Sequence, residues 1–106
     1  MYASIRMYQS DPDKVDEAMH RVDEYFVPTL SEQDWFVAYH CCDCGGGDIC
    51  SVTICSDEAG VNQSDELAAE FVRERLSDIE ITRTDMKSGD VKVSSAAQEV
   101  LEPTHA

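Results

Sequence analysis

Residues 35–55 read WFVAYHCCDCGGGDICSVTIC, and the predicted fold is organised around them. They contain two apolar runs rich in β-forming side chains, residues 35–44 and 48–55, which Gly45-Gly46-Gly47 separates. Apolar runs joined by glycines predict a β-hairpin. The rest of the chain is placed relative to this central hairpin.

A helix is predicted before the hairpin. Ser10-Asp11-Pro12 is a typical helix start, because Ser or Asp caps free amides and proline suits the first turn. Pro28 is expected to end or kink this helix. Its core-facing stripe, at helical spacing, consists of Val15, Ala18, Met19, Val22 and Phe26.

Two further strands and a second helix complete the order of elements. Residues 2–9 and 79–85 alternate in polarity as strands do, and a helix opens at Ser56-Asp57-Glu58. The buried stripe of this helix consists of Leu67, Ala68, Phe71, Val72 and Leu76. The order strand-helix-strand-strand-helix-strand predicts a ferredoxin-like α+β fold, with two helices on one face of a four-stranded antiparallel sheet.

The pattern predicts one domain and a tail. Residues 88–90 are expected to form a turn, and residues 91–93 a short added strand. The domain then covers residues 1–93. Residues 94–106 are polar and are expected to be a partly flexible tail or a loose helix.

The chain is strongly acidic. Its 106 residues include 22 Asp and Glu against 8 Lys and Arg, a formal net charge of −14. Such a surface repels nucleic acids and anionic membranes, so neither is expected as a partner. Because the acids are spread along the whole chain, we interpret them as an adaptation to high salt, which screens their repulsion.

The sequence contains no apolar stretch long enough to span a membrane. The start, MYASIR, lacks the basic head and apolar run of a signal peptide. We therefore expect a cytoplasmic protein whose thiols are mostly reduced.

Three strings resemble the dimeric α/β-barrel superfamily, and within it the small proteins similar to antibiotic-biosynthesis monooxygenases (ABM-like proteins). They are MYASIRMY at residues 1–8, FVPTLSEQDWFVAY at 26–39 and SVTICSDEAGVNQSDELAAEFVRERL at 51–76. The resemblance covers residues 1 to about 93. The chain departs from its relatives at Gln33-Asp34, where Pro-Gly is common, and at Cys55, where an aromatic residue is frequent.

The resemblance implies a homodimer in which the second sheet covers the face without helices. Members of the superfamily include cofactor-free monooxygenases, haem-degrading enzymes, dismutases, decarboxylases and proteins without known activity. The first strand lacks the Asn of haem degraders. The resemblance therefore favours a protein that needs no cofactor and binds a small aromatic or quinone-like metabolite, as a cofactor-independent monooxygenase would.

On this fold we expect the sheet face away from the helices to line the ligand cavity. The resemblance implies a base and an anion stabiliser there, and we assign His40 and Arg6 to these roles, with Tyr8 as a further catalytic residue. The expected ligand-binding residues are Ser4, Phe36, Thr53 and Arg83. Strand alternation also assigns to this face Tyr2, Ala38, Cys42, Ser51, Ile79 and Ile81. The structural alternative makes Arg6 part of an ion pair and Tyr8 part of a dimer interface.

The five cysteines cluster in the hairpin, and Cys55 ends its second strand. Cys42, Cys44 and Cys50 are candidate zinc ligands, but their spacing is not that of a zinc knuckle, and no metal is expected. A redox pair and plain buried thiols are the alternatives. Cys42 faces Cys50 if three glycines form the turn, whereas Cys50 faces Asp43 if two residues do.

Two other functions stay open beside the monooxygenase. The chain could be a non-catalytic module that senses a ligand, a metal or redox state through the cysteine-rich hairpin. It could also be a structural dimer whose cavity is filled by side chains.

Overall fold

The computed structural model describes residues 1–97. The strands are β1 (Tyr2–Ser10), β2 (Phe36–Gly45), β3 (Asp48–Cys55) and β4 (Ile81–Asp90). The helices are α1 (Val15–Arg21), α2 (Val27–Ser31) and α3 (Glu58–Arg75). The strands form one antiparallel sheet in the order β2-β3-β1-β4, so the predicted ferredoxin-like α+β fold is confirmed.

The helices cover one face of the sheet and leave the other open. Along β1 every second side chain is buried, among them Ser4, Arg6 and Tyr8. The side chains between them point the other way, and Ile5 and Met7 are 40% and 45% exposed. The open face is therefore apolar at the centre of the sheet.

The first helical segment does not end at Pro28. Asp11 caps a 3₁₀ turn at Pro12–Lys14, and α1 follows directly. A π-helical turn at Val22–Phe26 then joins α1 to α2, which contains Pro28. The wider turn lies immediately before the proline, which has no N–H to donate and would distort a regular helix.

The central hairpin turns on two residues rather than three. Gly46 and Gly47 have φ of 63° and 92°, as a two-residue turn of type I′ requires, and Gly45 pairs with Asp48. A bulge at Cys44 shifts the register by one residue. The hairpin therefore combines a two-residue turn with the register that places Cys42 opposite Cys50.

Strand β4 is longer than the sequence predicts. It pairs with β1 as far as Asp90, opposite Tyr2, so the predicted turn at residues 88–90 and the separate strand at 91–93 are wrong. Pairing with the central strand outweighs the local turn signal of Ser88-Gly89-Asp90. Residues 91–97 have no regular secondary structure, and the rest of the predicted tail lies outside the described residues.

The main core cluster lies between the sheet and the helices. It consists of Phe26, Leu30, Trp35, Cys55, Val61 and Ala68. Gly60 in α3 permits a close approach, since a Cβ there would lie 2.7 Å from the ring of Trp35. Within residues 1–97 no helix has the length and apolar character that crossing a membrane requires.

Candidate functional site

Arg6 is the centre of a buried polar network. It lies in the middle of β1 and is fully buried. Its Nη1 donates to Oδ1 of Asp65 at 2.8 Å, and its Nη2 donates to Oγ1 of Thr53 at 2.6 Å. Ser4 donates to the same carboxylate oxygen, and Ser4 and Ser64 each accept a weaker bond from Nη1. Because Ser64 and Asp65 belong to α3, this network joins the sheet to the helix.

Two buried polar atoms beside this network have no partner. Nε of Arg6 and Oγ of Ser51 make no hydrogen bond within residues 1–97. Arg6 and Ser51 are paired across β1 and β3, and both line one cavity. Leaving a buried polar group unsatisfied costs about 1–3 kcal/mol. The two donors are therefore placed to bind an oxygen acceptor in the cavity.

The cavity lies between the helix-covered face of the sheet and the helices. Its walls are mainly apolar and include Met19, Val22, Phe26, Tyr39, Phe71 and Val72. Its volume of about 30 Å³ is enough for one or two water molecules. A drug-sized ligand needs a pocket of roughly 300 Å³ or more, so an aromatic ligand must displace part of the wall.

A larger groove adjoins the cavity at the edge of the sheet. It has a volume of about 620 Å³ and is lined by residues of α1, the π-helical turn and β2, including His40. The cavity and the groove share four lining residues, namely Met19, Val22, Tyr39 and Cys41. These side chains form the wall between the two spaces. Met19 is the most adaptable of them, since methionine is unbranched and flexible.

Tyr8 extends the polar end of the cavity. It is 9% exposed and lies opposite Arg83 on β4. Burial raises the pKa of Tyr8, and the charges of Arg6 and Arg83 offset part of that rise. The Tyr8 hydroxyl is therefore protonated at neutral pH and can donate a hydrogen bond.

Two further ionisable groups of the shared wall are held neutral. Burial, followed by the neighbouring Cys41, raises the pKa of Tyr39 far above its usual range. Burial raises the pKa of the Cys41 thiol to about 11. The Cys41 Sγ lies 3.5 Å from Sδ of Met19. The wall is therefore uncharged at neutral pH.

The structure places the strand-one residues on the opposite face from the one expected. Tyr2, Ser4, Arg6 and Tyr8 face the helices, so the predicted cavity face is wrong. The polar side of β1 can be buried because Asp65 and the surrounding hydroxyls satisfy most of the guanidinium. The apolar side of β1 is left for the open face.

A bulge in β2 separates His40 from this site. The register shifts between Phe36 and Ala38, so that Tyr39 and Cys41 share the face of Arg6. His40 is paired with Val52 and lines the groove. The expectation that His40 lies beside Arg6 in one cavity is therefore wrong.

The other predicted ligand-binding residues divide into two groups. Ser4 and Thr53 belong to the Arg6 network, and Arg83 lies beside Tyr8. Phe36 packs against the main core cluster instead.

Sequence reasoning missed Ser64 and Asp65. Both lie between Val61 and Ala68, which face the core at helical spacing. Polar residues within such a stripe indicate a buried partner, and Arg6 is that partner.

The hairpin cysteines lie on both faces of the sheet. Cys41 is paired with Ser51 and lines the cavity, whereas Cys42 and Cys50 are paired with each other on the open face. In the part of the chain that the structure describes, no three His, Cys, Asp or Glu side chains are arranged to hold a metal ion. The candidate zinc set of Cys42, Cys44 and Cys50 is therefore not assembled.

Solved structures share this fold at low sequence identity. HapK from Hahella chejuensis has a TM-score of 0.70 and 15% identity, over 92% of this chain and 99% of HapK. MupZ from Pseudomonas fluorescens has a TM-score of 0.67 and 14% identity, over 82% of this chain and 69% of MupZ.

A protein described as a dimeric ferredoxin-like protein, from an uncultured marine organism, is also similar. It has a TM-score of 0.68 and 15% identity, over 91% of this chain and 97% of its own. No family model and no curated protein matches the chain. The structural similarities support the ferredoxin-like fold and leave the activity to be argued from the site.

Proposed function

We propose that this chain is a small homodimeric protein that binds an aromatic metabolite through a carbonyl or phenolate oxygen. The ligand occupies the cavity at Arg6 and Ser51 and extends into the adjoining groove. The proposed ligand belongs to the chemical class of quinones and their phenolic precursors.

The observation that carries this proposal is the pair of unpartnered donors. Asp65 already balances the charge of Arg6 and uses its Nη1, while Thr53 uses its Nη2. The Nε–H of Arg6 and the hydroxyl of Ser51 have no protein partner within residues 1–97, and both residues line the cavity. Two free donors on directly paired residues of an apolar pocket suit a single oxygen acceptor on a flat, apolar ligand.

The surroundings favour an acceptor that carries partial negative charge. The exposed Arg83 lies beside Tyr8, and no carboxylate within residues 1–97 forms an ion pair with it. Its positive charge complements a phenolate or a polarised carbonyl. The protonated Tyr8 hydroxyl adds a further donor.

Ligand entry requires the shared wall to open. The groove is large enough for two fused rings, whereas the cavity accepts only the oxygen-bearing end. Rotation of the Met19 side chain would join the two spaces without moving the backbone.

The same arrangement suits cofactor-independent oxygenation. An acidic methylene group beside a phenolic ring would lose a proton to His40, which lines the groove. Arg6, Ser51 and Tyr8 would stabilise the resulting oxyanion. Reaction of the carbanion with molecular oxygen would convert the methylene group to a carbonyl and release one water molecule.

The open face of the sheet supports the homodimer. It carries the exposed Ile5 and Met7 and the half-exposed Val52 and Ile54. An apolar face of this kind is usually covered in a soluble protein. A solved protein with the same fold is described as dimeric.

An NMR titration with two probes tests the binding proposal. 1-Tetralone presents one carbonyl oxygen on two fused rings, and tetralin is the same hydrocarbon without the oxygen. We expect 1-tetralone to shift the Arg6 Nε–H resonance, and tetralin to leave it unchanged. An unchanged Arg6 resonance with saturating 1-tetralone, or equal shifts with both probes, would contradict the proposal.

A further inference from the structure

We propose that Cys42 and Cys50 form a reversible redox site, in which a hydroperoxide converts the two thiols into a cross-strand disulfide. The pair lies on the open face of the sheet at the β2 edge, where Cys42 also lines the groove.

The register of the hairpin carries the proposal. Cys42 on β2 is directly opposite Cys50 on β3. Directly opposed residues of antiparallel strands have Cα atoms about 4.5–5.5 Å apart. Disulfides span Cα separations of about 4.4–6.8 Å, so the bond can form without moving the strands.

The third thiol nearby is less well placed. Cys44 is the bulged residue of β2 and has no directly opposed partner. Cys42 and Cys44 are neighbours along one strand, where the side chains run parallel instead of meeting. Cys44 is close enough to Cys50 to raise its pKa, but only Cys42 lies directly opposite Cys50, so the register selects Cys42 as its partner.

Accessibility assigns the order of the two steps. Cys42 is exposed on the edge strand and also lines the groove there, whereas Cys50 is half-buried. A peroxide therefore reaches Cys42 from the groove and not through the sheet face that the dimer covers. The Cys42 thiolate attacks the peroxide oxygen, which gives a sulfenic acid and releases an alcohol or water. The Cys50 thiolate then attacks that sulfur and displaces hydroxide, which leaves as water after protonation.

The remaining cysteines are protected from this reaction. Cys55 is buried, and Cys41 lies on the cavity face of the sheet. Burial raises the pKa of both thiols. Burial, followed by the neighbouring Cys44 and Cys42, also raises the pKa of Cys50. The second step therefore proceeds faster at pH 9 than at pH 7.

The test is to treat the fully reduced, folded protein with one equivalent of hydrogen peroxide, then to unfold it in guanidinium chloride and add iodoacetamide. We expect the mass to fall by two hydrogen atoms and three of the five cysteines to be alkylated. Digestion before aspartate should link residues 34–42 to residues 48–56, and fragment sequencing should place the bond at Cys42 and Cys50. Dithiothreitol should restore five alkylated thiols.

Two variants separate this pair from its neighbours. Cys44→Ser should still form the link, whereas Cys50→Ser should not. A bond through Cys44, a bond between two chains, or irreversible oxidation of Cys42 without a link would overturn the proposal. If a variant fails to fold, the linked peptides of the unsubstituted protein still distinguish these outcomes.

Discussion

The guanidinium of Arg6 on the central strand lies 2.8 Å from the carboxylate of Asp65 on α3. The side chains of Arg6 and Asp65 are only 1% and 15% exposed. This ion pair holds α3 against the polar side of β1. Both Nη atoms of Arg6 are bonded within the protein, whereas Nε has no partner within residues 1–97.

Replacing Asp65 with Asn should strongly destabilise the protein. The substitution leaves the buried charge of Arg6 without its counter-ion, which costs about 3–5 kcal/mol in the free energy of unfolding. Urea unfolding at fixed salt measures the loss. Asp78→Asn is the control, because it removes an exposed ion pair with Arg21 and should cost far less. Equal losses of unfolding free energy in the two variants would show that the buried Arg6–Asp65 pair stabilises the fold no more than an exposed pair does.

The Cys41 thiol should make stability depend on alkaline pH. Its pKa is about 11 in the folded protein against 9.0 as an ordinary thiol. Below pH 9 both states are protonated and the thiol has no effect. Between pH 9 and pH 11 the unfolded state loses the proton first, so the free energy of unfolding falls by about 2 kcal/mol.

Comparison with Cys41→Ala isolates this contribution, because the tyrosines and lysines titrate in both proteins. Urea unfolding at pH 8 and pH 11 should show a steeper loss in the unsubstituted protein than in the variant. Parallel losses would mean that the Cys41 thiol ionises as freely in the folded state as in the unfolded one.

Salt should stabilise the fold through its acidic surface. The net charge is −14, and the screening length falls from about 10 Å at 0.1 M to about 3 Å at 1 M salt. Exposed acids at Glu66, Glu70 and Glu74 are spaced four residues apart on α3 and repel one another. We expect the melting temperature to rise between 0.1 M and 2 M KCl.

A triple variant in which Glu66, Glu70 and Glu74 are replaced with glutamine tests whether repulsion between these acids causes the salt dependence. It should melt at a higher temperature than the unsubstituted protein at 0.1 M KCl and show a smaller rise at 2 M. A melting temperature that does not respond to KCl would argue against the interpretation of the acidic surface as a salt adaptation.

Ile5→Glu should separate the proposed dimer. Ile5 is 40% exposed on the open face and lies opposite Lys87, which can pair with the new carboxylate within one chain. Two such carboxylates in one sheet-to-sheet interface are costly to bury. Sedimentation equilibrium should therefore report a monomer.

Val93→Glu is the control for Ile5→Glu, because it tests whether an added negative charge alone dissociates the dimer. Val93 is 91% exposed and follows the last strand. This variant should sediment as a dimer. A dimeric Ile5→Glu protein, or a monomeric unsubstituted one, would contradict assembly through the open face.

The order of the elements could be predicted from the sequence because each carries a strong local signal. The glycine turn, the Asp11 and Asp57 caps and the apolar stripes of the helices all lie where the sequence places them. These features depend on residues close together in the chain.

The side of the sheet on which each residue lies could not be predicted in the same way. The orientation of β1 depends on Asp65, 59 residues away from Arg6. The position of His40 depends on a bulge at the start of β2 that no glycine or proline marks. The hairpin register depends on a second bulge, at Cys44, which the turn residues alone do not specify.

The binding of 1-tetralone to Ser51→Ala is the most direct test of the proposed site, with Ser10→Ala as its control. Ser51 is buried with an unpaired hydroxyl in the cavity, whereas Ser10 is buried on β1 and bonded to the Asp11 carbonyl. Calorimetry should show roughly fivefold to tenfold weaker binding for Ser51→Ala, the value of one hydrogen bond, without loss of stability. Ser10→Ala should keep the original affinity. Unchanged binding by Ser51→Ala, or an equal loss in both variants, would contradict a ligand oxygen held by Arg6 and Ser51.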